Sequence, residues 1–403
     1  MTTSRIHALS EAASAFVWTW LPGEIRPVPA GRLHGGTECR HDFGYLPDYL
    51  DRPNAIALGP DLPLAPGMRA LPGSGLKGTL RDALPGAWGR RVTRALQLDR
   101  HGADVGANTI GDIAYGLLAG TDGIGALSFQ ASATSFEARI APKAELEALA
   151  EAVDRVERGQ SLPAELAASL VHAVAIGGAG PKALVEFDGR PCIAKFGKSH
   201  EPYDALREEY IGLRLARLCH LDVPHVALRR LGERQVLLIG RFDRERSGAR
   251  RAMVSGLTLL GLGEAPVRAA RHEDFIGVAL GLAHDPDATR RELFRRVAFN
   301  LLLGNEIGHA CYQVLFWNGQ SVDLAPAFGC GLQAPIPKVV SHARATCEPD
   351  WRARMASALD TAPRFGLNPE TAGSLVECLF EGIRQHYAAV ASEADVARSR
   401  PAA

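Results

Sequence analysis

The stretch from residue 174 to residue 255 constrains the fold most strongly, because short apolar strands alternate there with one amphipathic helix. It opens with VAIGGAGPKALVEFDGRPCIAKF, a Gly-rich turn between strands followed by an Asp188-Gly189 pair and a strand that carries a lysine. An Asp-Gly pair between apolar runs is a strong hairpin signal. REEYIGLRLARLCHL then has helical spacing, and VPHVALRRLGERQVLLIGRFDRE is a second hairpin. The stretch therefore predicts a strand-rich lobe with one helix.

Length and charge set the outer limits of the prediction. The chain has 403 residues, enough for two or three domains. Apolar residues make up 46% and charged residues 22%, an ordinary globular composition. Basic and acidic residues number 45 each, so the global charge does not favour nucleic acid, and any DNA contact needs a local basic patch or a partner protein.

Cysteine usage and hydropathy predict a cytoplasmic protein. The seven cysteines are scattered and odd in number, with no CxxC pair, which is typical of free thiols in a reducing compartment. The opening MTTSRIHALSEAASAFVWTW has no signal-peptide pattern. No run reaches the roughly 18 apolar residues of a transmembrane helix, so no membrane association is predicted.

Composition shifts predict an α+β chain of three parts. Residues 1–135 form a small N-terminal α/β subdomain with strands and Gly/Pro-rich turns. Residues 136–255 begin with two amphipathic helices within 139–170 and continue into the strand-rich lobe. Residues 256–403 are mainly helical.

The strand-rich lobe contains candidate nucleotide-binding residues. A Gly-rich loop lets backbone N–H groups approach phosphates closely, and a strand lysine paired with a helix glutamate can hold α- and β-phosphates. Glu209 on the predicted helix is the expected partner of Lys195, with Glu208 as the alternative. The loop candidates are Gly177, Gly178, Ala179, Gly180 and Lys182.

Residues 299–330, FNLLLGNEIGHACYQVLFWNGQSVDLAPAFGC, resemble the catalytic segment of HipA-type toxin kinases. That family usually reads N-x-L-I-G-N-T-D-D-H-x-x-N, then a short hairpin, then L-x-P-x-Y-D. The residues that stay in register with this pattern are Gly304, Asn305, His309, Leu324, Pro326 and Phe328.

Further segments in compatible order extend the resemblance over about residues 40–395. HDFGYLPDYLDRPNAIALGPDLPL, RDALPGAWGRRV and DIAYGLLAGTDGIGALSFQ match N-terminal segments of the family, and carry no obvious chemistry beyond packing. Arg241 and Phe242 match the RFDR motif at the hinge, where backbone groups would contact adenine.

The resemblance implies a protein-kinase fold with a strand-rich N-lobe and an all-helical C-lobe. Active members of the family are Ser/Thr kinases that phosphorylate a translation component. They pair with a helix-turn-helix antitoxin, HipB-like, that binds operator DNA, so DNA contact through a partner is expected. Besides the loop, Lys195, Glu209, Arg241 and Phe242, the resemblance places His309 in the nucleotide site.

The catalytic positions of the family are replaced in this chain. The catalytic Asp falls on Ile307, the metal-ligating Asn on Tyr312, and the metal-ligating Asp on Gly329. None offers the side-chain carboxylate or amide oxygen by which the family's residues serve as base or bind the hard Mg²⁺ ion. The serine that family members autophosphorylate is Ala175 here. We therefore expect a pseudokinase with no metal site, which binds ATP without Mg²⁺ or binds no nucleotide.

Other interpretations remain open from the sequence. Glu306 and Asp323 lie near the missing carboxylates and could serve an active kinase, although catalysis is sensitive to displacements of about 1 Å. A different transferase on the same frame is a third possibility. A rebuilt zinc site would use His309, Cys311, Cys330, His342 and Cys347, whose spacings fit no standard zinc pattern. Paired arginines at 290–291 and 295–296 indicate a solvated helix face or a DNA contact.

Overall fold

The computed structural model describes residues 12–35, 40–73, 75–101, 110–140, 144–171, 175–197, 204–232, 234–262, 272–305, 313–331 and 348–399. The chain forms two compact units. Unit 1 comprises residues 1–194, 241–263 and 316–320, and unit 2 comprises residues 195–240, 264–315 and 321–403. The boundaries predicted at residues 135 and 255 stay predictions.

The described residues contain the following elements in chain order. The strands are β1 (Ser14–Thr19), β2 (Val28–Gly35), β3 (His41–Tyr45), β4 (Arg69–Ala70), β5 (Leu127–Gln130), β6 (Lys182–Phe187), β7 (Arg190–Phe196), β8 (Val226–Leu231), β9 (Arg234–Gly240), β10 (Ala252–Ser255), β11 (Val314–Trp317) and β12 (Val322–Leu324). The helices are α1 (Pro47–Leu50), α2 (Gly78–Asp82), α3 (Ala87–His101), α4 (Asp112–Leu118), α5 (Leu146–Glu157), α6 (Ala164–Val171), α7 (Ala205–Leu218), α8 (Gly256–Leu259), α9 (His272–Leu282), α10 (Pro286–Leu302), α11 (Glu348–Asp360) and α12 (Pro369–Ser399), with a 3₁₀ turn at Ala362–Phe365.

Unit 1 is organised around a sheet in the order β4-β3-β2-β1-β5. β1 pairs antiparallel with β2 from Ser14–His34 onward, and an irregularity follows Val17. Inward residues of these strands, such as Val17 and Leu33, are fully buried in one apolar cluster that also takes in α2 and α4. A small sheet within residues 14–130 is what the N-terminal sequence predicts.

Turn chemistry in unit 1 follows the sequence. Asp188 and Gly189 both have positive φ, 49° and 68°, which is the backbone twist that a two-residue hairpin between β6 and β7 needs. The Asn318-Gly319 turn is packed: Trp317 Nε1 donates to the Ala57 carbonyl at 2.7 Å. A Cβ on Gly319 would lie 2.6 Å from the Ile56 Cβ atom, so only glycine fits there.

Unit 2 is mainly helical, as the sequence predicts for its C-terminal part. β8 and β9 form an antiparallel hairpin with register from Val226–Ile239 to Leu231–Arg234. α10 begins where Asp285 caps it: the carboxylate accepts from the N–H groups of Asp287 and Ala288.

The mixture of helices and sheets in the described residues confirms the predicted α+β class. Among the described residues, no helix is long and apolar enough to cross a membrane.

One buried hydroxyl links the sheet of unit 1 to the loop that follows α1. Tyr45 Oη donates to the Leu62 carbonyl at 2.5 Å and accepts from the Leu58 N–H at 2.9 Å. Burial raises the pKa of Tyr45 above its usual range, so the donor proton is retained. The loop 58–62 therefore depends on this one side chain for two of its backbone partners.

We expect Tyr45→Phe to lower the free energy of unfolding by about 1–3 kcal/mol, because it leaves a buried N–H and a buried C=O without their partner. Urea unfolding followed by circular dichroism measures this. An unchanged midpoint would show that the hydroxyl is not needed to hold the loop.

Candidate functional site

An ion pair between a strand lysine and a helix glutamate forms the centre of the candidate site in unit 2. Lys195 Nζ lies 2.5 Å from Glu209 Oε1, and the two side chains are 25% and 13% exposed. The neighbouring Glu208 bonds Arg207 instead, at 2.8 Å. The structure thus pairs Lys195 with Glu209 rather than with the alternative partner.

Both ends of α7 are held by hydrogen bonds, which fixes the position of Glu209 along the helix axis. At its N-terminus the Asp204 carboxylate accepts from the Arg207 N–H at 3.0 Å, a standard N-cap. At its C-terminus Arg295 Nη2 donates to the Cys219 and His220 carbonyls, each at 2.8 Å. These carbonyls are helix-end acceptors that need partners. Arg295, from one of the arginine pairs, is therefore part of the packing of α7.

The backbone that follows Gly329 passes directly over the Glu209 face of α7. Gly212 lies three residues after Glu209, on the same side of the helix. A Cβ on Gly212 would lie 1.7 Å from the Cys330 carbonyl oxygen. A Cβ on Gly331 would lie 3.2 Å from the Glu209 Cα atom. The segment at the family's metal-ligating position and the Lys195–Glu209 pair are therefore brought together.

Gly329 offers only backbone at the position predicted from the resemblance to ligate metal. Its φ is +70°, and its carbonyl accepts from Asn305 Nδ2 at 3.3 Å. The same amide donates to Asn300 Oδ1 at 3.2 Å. The buried Asn305, predicted in register with the family, thus ties the end of α10 to the Gly329 segment.

Cys330 is a buried, unreactive thiol. Burial raises its pKa to about 12, although the nearby Arg296 works in the opposite direction. A protonated thiol is a poor nucleophile and metal ligand. The other members of the hypothetical zinc cluster, His309, Cys311, His342 and Cys347, lie outside the described residues. Within the described ranges, no group of three or more His, Cys, Asp or Glu is arranged to hold a metal ion.

The Gly-rich loop, in unit 1, is tied to the start of α3. Gly86 N–H donates to the Ile176 carbonyl at 3.0 Å, and Trp88 N–H donates to the Gly178 carbonyl at 3.2 Å. Trp88 occupies the first turn of α3, where backbone N–H groups have no partner within the helix. The loop carbonyl supplies that partner. A Cβ on Gly86 would lie 2.4 Å from the Gly178 nitrogen, so only glycine allows this contact.

Side chains complete the attachment of the loop. Trp88 Nε1 donates to the Lys182 carbonyl at 2.9 Å, and Lys182 Nζ donates to the Gly177 carbonyl at 3.0 Å. Gly177–Gly180 are exposed. The sequence does not single out Gly86 and Trp88 as site residues, although the LPGAWGRR segment that contains them matches the family. Ala175, just before the loop, is buried and presents a methyl group.

Arg241 of the RFDR motif is buried in an ionic network of unit 1. Its guanidinium donates to Asp243 at 2.8 and 3.0 Å and to Asp122 at 3.0 Å. Arg244 also contacts both carboxylates, each at 2.8 Å. Burial would raise the pKa of Asp243, but Arg241 and Arg244 lower it below its usual range.

The sequence predicts that backbone groups of Arg241 and Phe242 contact adenine, and the burial of the Arg241 side chain leaves that prediction untested. The Arg241 N–H already donates to the Pro191 carbonyl at 2.9 Å. The Phe242 ring meets Phe316 edge-on, with centroids 6.1 Å apart.

Four residues of the predicted catalytic segment lie outside the described residues: Glu306, Ile307, His309 and Tyr312. Asp323, on β12, is exposed. The nucleotide-binding roles stay predictions.

We expect Gly212→Ala to destabilise unit 2 by about 1–3 kcal/mol, since the new methyl group overlaps the Cys330 carbonyl. Gly373→Ala is the matched control, because Gly373 lies within α12 with nothing within 4 Å of its added Cβ. The control should gain up to about 1 kcal/mol from helix propensity. Thermal unfolding distinguishes the two, and equal effects would contradict the close contact.

Removing the carboxylate of Asp243 should destabilise unit 1 strongly. Asp243→Ala leaves the Arg241 and Arg244 guanidinium groups buried without one of their counter-ions, which costs about 3–5 kcal/mol. Glu381→Ala, at an exposed pair with Arg384, should change stability by less than about 0.5 kcal/mol. Denaturant unfolding of both variants measures the contrast, and a small loss for Asp243→Ala would mean that the network relaxes easily.

A solved structure shares this fold. The HipA toxin of Shewanella oneidensis MR-1, in complex with HipB and its operator DNA, matches with a TM-score of 0.55 at 17% identity, covering 96% of this chain and 92% of that chain. The proinflammatory kinase CtkA of Helicobacter pylori covers 55% of this chain and 92% of its own at 16% identity, and its TM-score of 0.36 carries no structural argument. No curated protein sequence matches the chain.

The sequence itself matches a family model. The model of the HipA-like C-terminal domain aligns with residues 174–387, more than half of the 403 residues. The match includes the Gly-rich loop, the Lys195–Glu209 pair and the Gly329 segment. This protein therefore belongs to the HipA-like family.

Proposed function

We propose that this protein is a HipA-like pseudokinase that acts by binding a protein partner within a toxin–antitoxin-type system. The observation that carries the proposal is that an intact Lys–Glu ion pair lies beside a position that lacks a side-chain metal ligand. The Lys195–Glu209 ion pair is formed, whereas the adjoining metal position is Gly329, whose carbonyl is already engaged by Asn305. An ion pair of the kind that positions a nucleotide, beside a family metal position with no side-chain ligand, supports a binding role without phosphoryl transfer.

Nucleotide binding is the part of kinase function that the residues still support. A lysine held by a helix glutamate presents a fixed positive charge for α- and β-phosphates. The Gly-rich loop, Gly177 to Lys182, would contribute backbone N–H groups. We propose that ATP binds at the Lys195–Glu209 pair without Mg²⁺. The Gly-rich loop, Arg241 and Phe242 keep their predicted nucleotide-binding roles, in which Arg241 and Phe242 use only backbone groups.

Phosphoryl transfer is the part that the residues do not support. Transfer depends on Mg²⁺ to neutralise developing charge and on a positioned base. A base contributes about 10²–10⁴-fold in rate, and Ile307 has no lone pair to accept a proton. Tyr312 and Gly329 replace both metal ligands of the family pattern. With Ala175 in place of the autophosphorylated serine, a self-inhibiting switch would have no hydroxyl to modify.

A helix-turn-helix protein is the partner class that we propose. The similar structure from Shewanella oneidensis holds HipB and operator DNA together with HipA. This chain has 45 basic and 45 acidic residues, so a DNA contact would come through the partner. Cytoplasmic location follows from the same proposal. Binding without transfer would let the protein occupy an antitoxin and regulate its availability.

The alternative is an active Ser/Thr kinase toxin that uses displaced carboxylates to phosphorylate a translation component. The exposed position of Asp323 on β12 leaves it free of burial costs for such a role, and Glu306 directly follows Asn305. Glu306 is offset by one residue from Ile307, which turns its side chain away on any regular backbone. Asp323 lies six residues before Gly329, and catalysis is sensitive to displacements of about 1 Å, which is why we favour the pseudokinase.

We expect ATP to bind with an affinity that Mg²⁺ does not increase, and Lys195→Ala to weaken binding about 10-fold by removing a charge-assisted contact. Titration calorimetry with and without Mg²⁺ measures both effects. Arg384→Ala, an exposed cation on α12, is the charge-matched control and should bind as the parent does. Binding that strengthens with Mg²⁺ would contradict the loss of the metal site.

Growth of cells that produce the protein separates the two functions further. A pseudokinase should leave growth unaffected, with or without Lys195→Ala. Growth arrest that Glu306→Ala or Asp323→Ala relieves would establish the active kinase instead.

A further inference from the structure

Helix α7 has two faces with different contacts. Glu209 and Gly212, three residues apart, face Lys195 and the Cys330 backbone. Arg207, Tyr210 and Arg214, spaced by three and four residues, form a second face. This second face is polar at its tips, yet Tyr210 is almost entirely buried. It requires a partner element that accepts hydrogen bonds.

The C-terminal helix α12 is that partner. Tyr210 Oη donates to Glu393 Oε1 at 2.5 Å, and Arg214 Nη2 donates to Glu393 Oε2 at 3.1 Å. Arg207 Nε donates to Asp395 Oδ1 at 2.9 Å. Both carboxylate oxygens of Glu393 are therefore occupied by groups of α7, one of them buried.

The contact continues along the helices to the other end of α7. Cys219 Sγ lies 3.7 Å from the Leu379 carbonyl, to which it donates. A Cβ on Gly382 would lie 2.8 Å from that sulfur. Tyr210 contacts Glu393, and the later Cys219 lies next to the earlier Gly382. The residue numbers of the contacts increase along α7 and decrease along α12, so the two helices run antiparallel in close contact. Glycine at 382 permits this approach.

The hydroxyl of Tyr210 is a dependable donor. Burial raises its pKa to about 12, and the neighbouring Glu393 carboxylate adds to this shift. Hydrogen bonds between a neutral donor and a carboxylate are stronger than bonds between neutral groups. Tyr210 immediately follows Glu209 in the chain, so a shift of its backbone also moves Glu209.

We propose that α12 positions the Lys195–Glu209 pair by clamping α7 through the Tyr210–Glu393 hydrogen bond. Tyr210 and Glu393 are positioning residues, since neither touches Lys195. When the clamp is released, α7 loses a contact that resists its rotation about the helix axis, and Glu209 shifts away from Lys195. In its consequence for ATP the inference rests on the proposed function, whereas the clamp itself does not require a nucleotide.

The test measures the reactivity of the Lys195 amine without any nucleotide. The Lys195 amine is engaged by the Glu209 carboxylate at 2.5 Å, so withdrawal of Glu209 opens the amine to an amine-reactive reagent and accelerates its acylation. Peptide mass spectrometry gives the labelling rate of Lys195, with Lys77 in unit 1 as the internal reference. Glu209→Gln sets the rate for a pair that is fully lost.

We expect Tyr210→Phe and Glu393→Ala to accelerate labelling of Lys195 about 3-fold or more, as for coupled neighbours, with Lys77 unchanged. Tyr210→Phe removes only a hydroxyl and preserves the packing of the ring. Glu381→Gln is the matched control, because Glu381 lies on α12 but pairs only locally with Arg384. It should label as the parent does.

Two outcomes would overturn the clamp. The first is that Tyr210→Phe and Glu393→Ala label at the parent rate while Glu209→Gln labels faster. The second is that Lys77 and Lys195 accelerate together, which would show general loosening of the fold rather than positioning.

ATP titration of the same variants separates the clamp from the proposed function. Tyr210→Phe should weaken ATP binding several-fold in the parent and should have no further effect on the Lys195→Ala background, because the two changes act on one contact. If the parent binds no ATP but Lys195 labelling responds to Tyr210→Phe, the clamp stands and the nucleotide part of the proposed function fails. Additive losses in the double variant would overturn the coupling.

Discussion

Unit 2 depends on one close backbone approach, between Gly212 of α7 and the Cys330 carbonyl. No side chain fits between them, since even a Cβ would lie 1.7 Å from the oxygen. This contact sets the distance between α7 and the segment that follows Gly329. The Lys195–Glu209 pair lies one turn earlier on the same face, so the contact holds one side of α7 while α12 holds the other. The Asn305 amide then joins the end of α10 to the same segment.

The remaining polar contacts of α7 maintain this arrangement. Asp204 and Arg295 satisfy the two helix ends, and Glu393 holds the outer face. In unit 1 a comparable role falls to the Asp122, Arg241, Asp243 and Arg244 network, in which buried charges are matched by opposite charges. The side chain of Arg241, whose motif marks the hinge in the family resemblance, is used there for internal support.

Local features of this fold could be predicted from the sequence, because they depend on neighbouring residues. The Asp188-Gly189 turn, the helices within 139–170 and the Lys195-bearing strand are of this kind. The Tyr210–Glu393 bond joins residues 183 positions apart, and no periodic pattern indicates such a pair. The burial of Arg241 was likewise hidden, since the RFDR motif is equally consistent with an exposed hinge. The family resemblance identifies Gly329 as the altered metal position, but the hydrogen bond from Asn305 to its carbonyl joins residues 24 positions apart and depends on the fold.

The attachment of the Gly-rich loop to Gly86 and Trp88 changes what counts as a domain in this protein. The family match begins at residue 174, which suggests that a fragment starting there would be self-sufficient. Such a fragment would keep the loop but lose the two N–H groups and the indole that hold it. The carbonyls of Ile176, Gly178 and Lys182 would then accept hydrogen bonds from water instead. The smallest piece that preserves the loop as described here must therefore include α3, almost 90 residues before the sequence boundary.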